Sequence, residues 1–214
     1  MLMVLIGRSG SGKTALATRL KERHGYVTVK TCTTRGRREG EPSEAYEFLS
    51  RDEFKELVQK NELAEWDTYG GNMYGTRKSA LEGDEKMILV LTSEGAEAVK
   101  KAFPDAFVVH VQANMKTAVL RAISREHELT PATLNRIDKR AMTDYYLYDH
   151  PACDYTADNR YGQDLDWLAQ DVAAAHEAYG MNALLRELSD DLRSSREELQ
   201  AYDREKKAQS EVRG

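Results

Sequence analysis

Residues 7–14 read Gly-Arg-Ser-Gly-Ser-Gly-Lys-Thr and follow directly on the apolar run Met1 to Ile6. No other feature limits the fold as much, because GxxxxGK[ST] spacing needs a strand before it and a helix after it. Glycines 7, 10 and 12 let the backbone curl until successive N–H groups point into one concavity. A helix starting near Lys13 adds its positive dipole end there. Gly7, Arg8, Ser9, Gly10, Ser11 and Gly12 are therefore read as a cradle for the phosphates of ATP. In this reading Lys13 reaches the β- and γ-phosphates and the Thr14 hydroxyl ligates Mg²⁺. The loop alone does not name the phosphate acceptor, since motors, GTPases and small-molecule kinases share it. No NKxD segment for guanine follows, which argues against a GTPase.

Short β-branched runs alternate with amphipathic segments along the chain, the pattern of βα units on a mainly parallel sheet. Strands are expected at Leu2 to Ile6, Tyr26 to Lys30, Met87 to Leu91, Ala106 to Gln112 and Asp154 to Ala157. Helices are expected at Lys13 to Arg23, Ser93 to Lys101, Met115 to Arg125, Ala132 to Tyr146 and Asp164 to Tyr179. The class is α/β, a three-layer phosphate-loop fold. Between residues 33 and 82 the texture changes to polar loops, glycines and tyrosines, with one short helix near Asp52 to Lys60; this predicts an inserted, β-rich subdomain.

Charge and cysteine content narrow the function classes. With 31 basic and 36 acidic residues the net charge is −5, against a broad basic field for nucleic acid. No apolar run approaches the roughly 20 residues of a membrane span. Cys32 and Cys153 stand far apart without a CxxC pair, so neither a disulfide framework nor a zinc site is expected and the cytoplasm is the default compartment. The five histidines show no paired metal-ligand spacing.

The acceptor side lies in the insert. Thr31-Cys32-Thr33-Thr34-Arg35-Gly36-Arg37-Arg38-Glu39-Gly40-Glu41 is followed by Tyr46-Glu47-Phe48, by Glu65-Trp66 and by Gly71-Asn72-Met73-Tyr74-Gly75-Thr76. A basic cluster beside aromatic hydroxyls suits a monophosphate dianion: Arg35 and Arg38 offer guanidinium forks, and Tyr46 and Tyr74 donate without adding charge. These runs, in this order, resemble the guanylate kinase family over about residues 1–179. The resemblance implies that Arg35, Arg38, Tyr46 and Tyr74 hold the phosphate of GMP or dGMP. It also implies that Glu65 reads guanine, with Thr31 and Thr76 supplying hydroxyls. Guanine offers an N–H and an amine as donors and a carbonyl as acceptor, which a carboxylate and a hydroxyl answer.

One stretch departs from the family pattern. Where the family has D-x-D-x-Q-G, this chain has Val90-Leu91-Thr92-Ser93-Glu94-Gly95, so both acids are missing, the second a guanine-site carboxylate. Thr92 is expected to accept a bond from the base, and Glu94 to interact with the dipole of the helix it opens. The departure leaves three readings in order: a kinase for GMP with weakened discrimination, a kinase for another or modified nucleoside monophosphate, and a nucleotide-dependent protein-binding module.

Arg121 and Arg125 lie four apart on one predicted helix, and Arg136 and Arg140 repeat the spacing on the next. The resemblance implies a mobile lid over residues 115–140 with Arg121, Arg125 and Arg136 as its catalytic arginines, and Asn159 near the adenine of ATP. The expected domain runs from 1 to 180. Residues 181–214 form a charged helical extension with a seam of Leu185, Leu188, Leu192, Leu199 and Tyr202, one route to a homodimer.

Overall fold

The computed structural model describes residues 1–37, 41, 46–126, 128–160, 164–185 and 187–188. They fall into two compact units, Met1–His176 and Glu177–Gly214.

In the first unit β1 (Leu2–Ile6) is the centre of a five-stranded sheet. It pairs in parallel with β7 (Met87–Val90) on one side and β8 (Phe107–Gln112) on the other. The edges are β2 (Val27–Thr28) and β9 (Tyr155–Asp158), giving the order β2-β7-β1-β8-β9. Met3, Val4 and Leu5 are wholly buried, as expected of a parallel strand covered on both faces. The strand expected over Tyr26 to Lys30 shrinks to two residues. Val27 lies on the sheet edge and is exposed, while Tyr26 and Val29 are packed inside.

Helix ends follow local chemistry. Helix α1 (Lys13–His24) stops at Gly25, whose φ of 71° is left-handed. Thr92, Asn114 and Thr130 each cap the helix they precede, α3 (Ser93–Ala102), α4 (Met115–Ile123) and α5 (Pro131–Leu147), by accepting a third-residue N–H. Pro131 at the start of α5 gives up no hydrogen bond there. Helix α6 begins at residue 165 and buries Leu168, Ala169, Val172 and Ala173. Val4, Ile6, Leu89, Val99, Val108 and Tyr148 form a core between the sheet and the helices on one face. Each such side chain contributes roughly 1.5–3 kcal/mol through burial.

The insert is a four-stranded sheet of order β4-β3-β6-β5, made of β3 (Cys32–Thr33), β4 (Glu47–Phe48), β5 (Leu63–Tyr69) and β6 (Asn72–Arg77). Strands β5 and β6 are a hairpin, and its turn glycines 70 and 71 take φ of 59° and 78°, which suits a two-residue type I′ turn. Helix α2 (Arg51–Gln59), opened by a Ser50–Glu53 capping box, lays Phe54 and Leu57 on Cys32 and Leu63.

In the second unit residues 177–185 and 187–188 are helical, and Leu184, Leu185 and Leu188 are exposed. Leu192, Leu199 and Tyr202 of the expected seam lie outside the described residues. Among the described residues no helix is long and apolar enough to cross a membrane.

Candidate active site

The phosphate loop connects β1 to α1 as the sequence requires. Gly10 and Gly12 take φ of 83° and 103°, and a β-carbon on either would collide, 2.4 Å from the Ala118 carbonyl oxygen and 2.5 Å from Asn159 Nδ2. Lys13 folds back so that Nζ donates to the carbonyls of Gly7 (2.6 Å) and Arg8 (2.9 Å). Burial pushes its ammonium pKa down to about 8; Asp144 opposes that shift, and Arg140 and Arg125 add to it. Thr14 is exposed on the first helical turn.

Two predicted ligand residues brace the loop. Asn159, buried at the end of β9, donates from Nδ2 to the Ser11 carbonyl at 2.7 Å. Arg121 Nη1 donates to the Gly10 carbonyl at 3.2 Å. Arg125 and Arg136, with Arg8 and Arg140, line a cavity of about 340 Å³ between the loop, α4 and α5. Arg136 is paired with Glu126 at 2.8 Å, and Arg8 lies over the Tyr145 ring. Four arginines around a hollow beside the phosphate loop suit a polyphosphate.

Sequence reasoning missed the connection between the two halves. Asp144 on α5 is only 2% exposed and accepts from the Ser9 backbone N–H and the Tyr69 hydroxyl, each at 2.7 Å. Arg140 Nε donates to the same Tyr69 oxygen at 2.9 Å, and its guanidinium lies 4.5 Å from that ring's centroid. Thus phosphate loop, α5 and acceptor subdomain meet at one carboxylate. The sequence signal available was an acid one helical turn beyond the paired arginines.

On the acceptor side, Tyr46 and Tyr74 meet edge to face with ring centroids 6.4 Å apart. Arg35 lies over the Tyr46 ring, with its fork taken by Glu41 at 2.7 and 2.9 Å. A phosphate dianion would have to displace that carboxylate. Arg38 lies outside the described residues.

The predicted base-reading residues do converge. Glu65 on β5 is 5% exposed, and its Oε1 accepts from the Thr76 hydroxyl on β6 at 2.6 Å. Burial raises its pKa to about 7; the Thr76 hydrogen bond opposes the shift and the nearby Asp67 charge adds to it. Its Oε2 lies against α3, where a β-carbon on Gly95 would stand 3.0 Å away. The pairings Cys32 with Gly75 and Glu65 with Thr76 set buried Thr31 beside this row. Thr92 caps α3 and donates its hydroxyl to Asp67 Oδ2 at 2.7 Å. Glu94, on the first turn of α3, is exposed.

A phosphate loop between β1 and α1, a cationic hollow beside it and a small β-rich subdomain with a carboxylate pocket define an α/β phosphate-loop nucleotide-binding protein. A family model described as guanylate kinase matches residues 1–174, and the chain belongs to the guanylate kinase family. Among curated proteins it is 35% identical to a guanylate kinase of Gloeobacter violaceus over 155 residues, covering 69% of this chain and 75% of the relative. It is 30% identical to one of Streptomyces coelicolor over 170 residues, 77% of this chain and 85% of the relative. Against one of Trichodesmium erythraeum, 38% identity extends over 51% of this chain and 62% of the relative. The chain thus spans about three fifths of that relative's length and of a Prochlorococcus marinus guanylate kinase, 62% and 60%. A solved guanylate kinase of Anaplasma phagocytophilum shares the fold at TM-score 0.62 and 23% identity, over 83% of this chain and 85% of that one.

Proposed function

We propose that the protein transfers the γ-phosphoryl group of ATP to GMP or dGMP, yielding ADP and GDP or dGDP. The observation that carries this reading is the presence in one compact unit of the Lys13 loop and the Glu65 pocket, joined through Ser9, Asp144 and Tyr69. A binding module has no need of a phosphate loop and a base pocket tied together in this way.

The acceptor phosphate oxygen is already anionic, so no general base is required. The protein's work is to align donor and acceptor, spread the transferring charge and exclude water. Lys13 and the arginines 121, 125 and 136 supply positive charge along the donor phosphates. Arg35, Arg38, Tyr46 and Tyr74 take the acceptor phosphate, and Glu65 with Thr31 and Thr76 takes the base, while Thr92 stands at the edge of that pocket with its hydroxyl on Asp67. Mg²⁺ bound with ATP would screen its phosphates. Thr14 offers the ion one neutral oxygen, and among the described residues no group of three or more His, Cys, Asp or Glu could cage it. That donor set fits an ion that keeps waters and phosphate oxygens as its other ligands. Two unpaired cysteines, Cys32 buried and Cys153 exposed, agree with a reducing cytoplasm.

Incubating the protein with Mg·ATP and single ribo- and deoxyribonucleoside monophosphates tests the reading. ADP formation is expected with GMP and dGMP, and turnover of a different base alone would reassign the acceptor.

A further inference from the structure

Asp67 lies two residues beyond Glu65 on β5, so the two side chains leave the same face of the strand. The carboxylate of Asp67 is fixed at both oxygens: Oδ2 accepts from the Thr92 hydroxyl at 2.7 Å and Oδ1 from the Thr68 backbone N–H at 2.6 Å. A carboxylate oxygen accepts more than one hydrogen bond, so each oxygen can still serve a ligand. Thr92 has a single proton and commits it here, while its oxygen accepts from the Gly95 N–H at 3.0 Å. The hydroxyl therefore acts as a clamp on Asp67, and the acidic group at this edge of the pocket comes from β5. Glu94, the other acid nearby, faces solvent.

The pocket wall has an order. Across the sheet and then along β5 run Thr31, Thr76, Glu65 and Asp67: two hydroxyls, then two carboxylates. A guanine edge runs in a matching order, from carbonyl oxygen through ring N–H to exocyclic amine. Adenine offers a ring nitrogen lone pair in the middle of that edge, which a carboxylate repels.

We propose that Asp67, held by Thr92, is the specificity residue that takes the exocyclic amine of the base. The proposal rests on the reading of this pocket as a GMP site. It also accounts for position 92 carrying a hydroxyl rather than an acid.

Calorimetric binding of GMP and of IMP, which is GMP without the amine, tests this without turnover. The wild-type chain is expected to prefer GMP by about tenfold or more, the range of a hydrogen bond to a charged group. Asp67→Asn is expected to weaken GMP by about that factor and leave IMP nearly unchanged, so that the ratio approaches one. The exchange pair Asp67→Ala with Thr92→Asp is expected to restore the preference. Thr92→Val, which releases the clamp and keeps the acid, should lower the ratio partway and serves if Asp67→Asn does not fold. Equal weakening of GMP and IMP in Asp67→Asn, or no change in either, overturns the proposal, as does a wild type that binds the two equally. Selective GMP binding without any ADP formation would instead uphold Asp67 and overturn the kinase reading.

Discussion

The backbone N–H of Ser9 donates to Oδ2 of Asp144 at 2.7 Å, so one donor of the phosphate loop is held by a carboxylate. An incoming phosphate oxygen and Asp144 compete for this N–H and repel one another. Asp144→Asn is therefore expected to tighten Mg·ATP binding severalfold in calorimetry. The same change removes a charged acceptor from Ser9 and Tyr69, and denaturant unfolding is expected to show a loss of about 1–3 kcal/mol. Weaker ATP binding in a folded variant would contradict the competition.

Burial disfavours the charge on Lys13 and pushes its ammonium pKa down to about 8. Below that pH the ammonium is present and pairs with phosphate; above it the amine is neutral. ATP affinity is expected to fall as pH rises from about 7 to about 9, with proton uptake on binding. Lys13→Met should abolish turnover and flatten this dependence, and a profile unchanged by the substitution would assign the titration elsewhere.

Glu65 accepts from a base more strongly, and through both oxygens, when ionised, and burial raises its pKa to about 7. The KM for GMP is expected to drop as pH rises from about 6 to about 8 and the carboxylate forms. Glu65→Gln should bind GMP about ten to a hundred times more weakly, with that part of the profile gone. The acceptor phosphate titrates in both proteins, so their difference isolates Glu65.

At Gly10 a side chain meets two obstacles, a φ of 83° and the Ala118 carbonyl 2.4 Å from a β-carbon. Gly10→Ala is expected to lower stability by about 1–3 kcal/mol and to remove ATP binding by displacing the loop from α4. Thermal unfolding with and without Mg·ATP measures both, since bound nucleotide raises the midpoint only where the site survives.

The phosphate loop was legible because its chemistry is local: eight consecutive residues fix strand, turn and helix start. Helices α1 to α5 were legible to within a residue or two, three of them because their caps Thr92, Asn114 and Thr130 adjoin the apolar periodicity; past Tyr179, where the last expected helix ends, residues 180–185 are helical as well. Glu65 came from the resemblance; alone, an acid beside Trp66 reads as surface, and only the pairing of β5 with β6 shows it buried on Thr76. Asp144 and Asp67 were not legible. Each acts through a partner 135 or 25 residues away, and no local pattern encodes such a distance. Arg121 and Asn159 were expected at ATP, and the structure gives both a hold on loop carbonyls that no spacing in the sequence encodes.

The central claim is transfer between two nucleotides in one site, and the most direct measurement follows the transferred group. The protein is given Mg·ATP labelled with heavy oxygen in the γ-phosphoryl group, together with GMP, and the products are weighed by mass spectrometry. Labelled GDP appearing in step with ADP, and absent with Lys13→Met, is the expected result. Labelled inorganic phosphate with GMP left intact, or no ADP despite bound ATP, would contradict it.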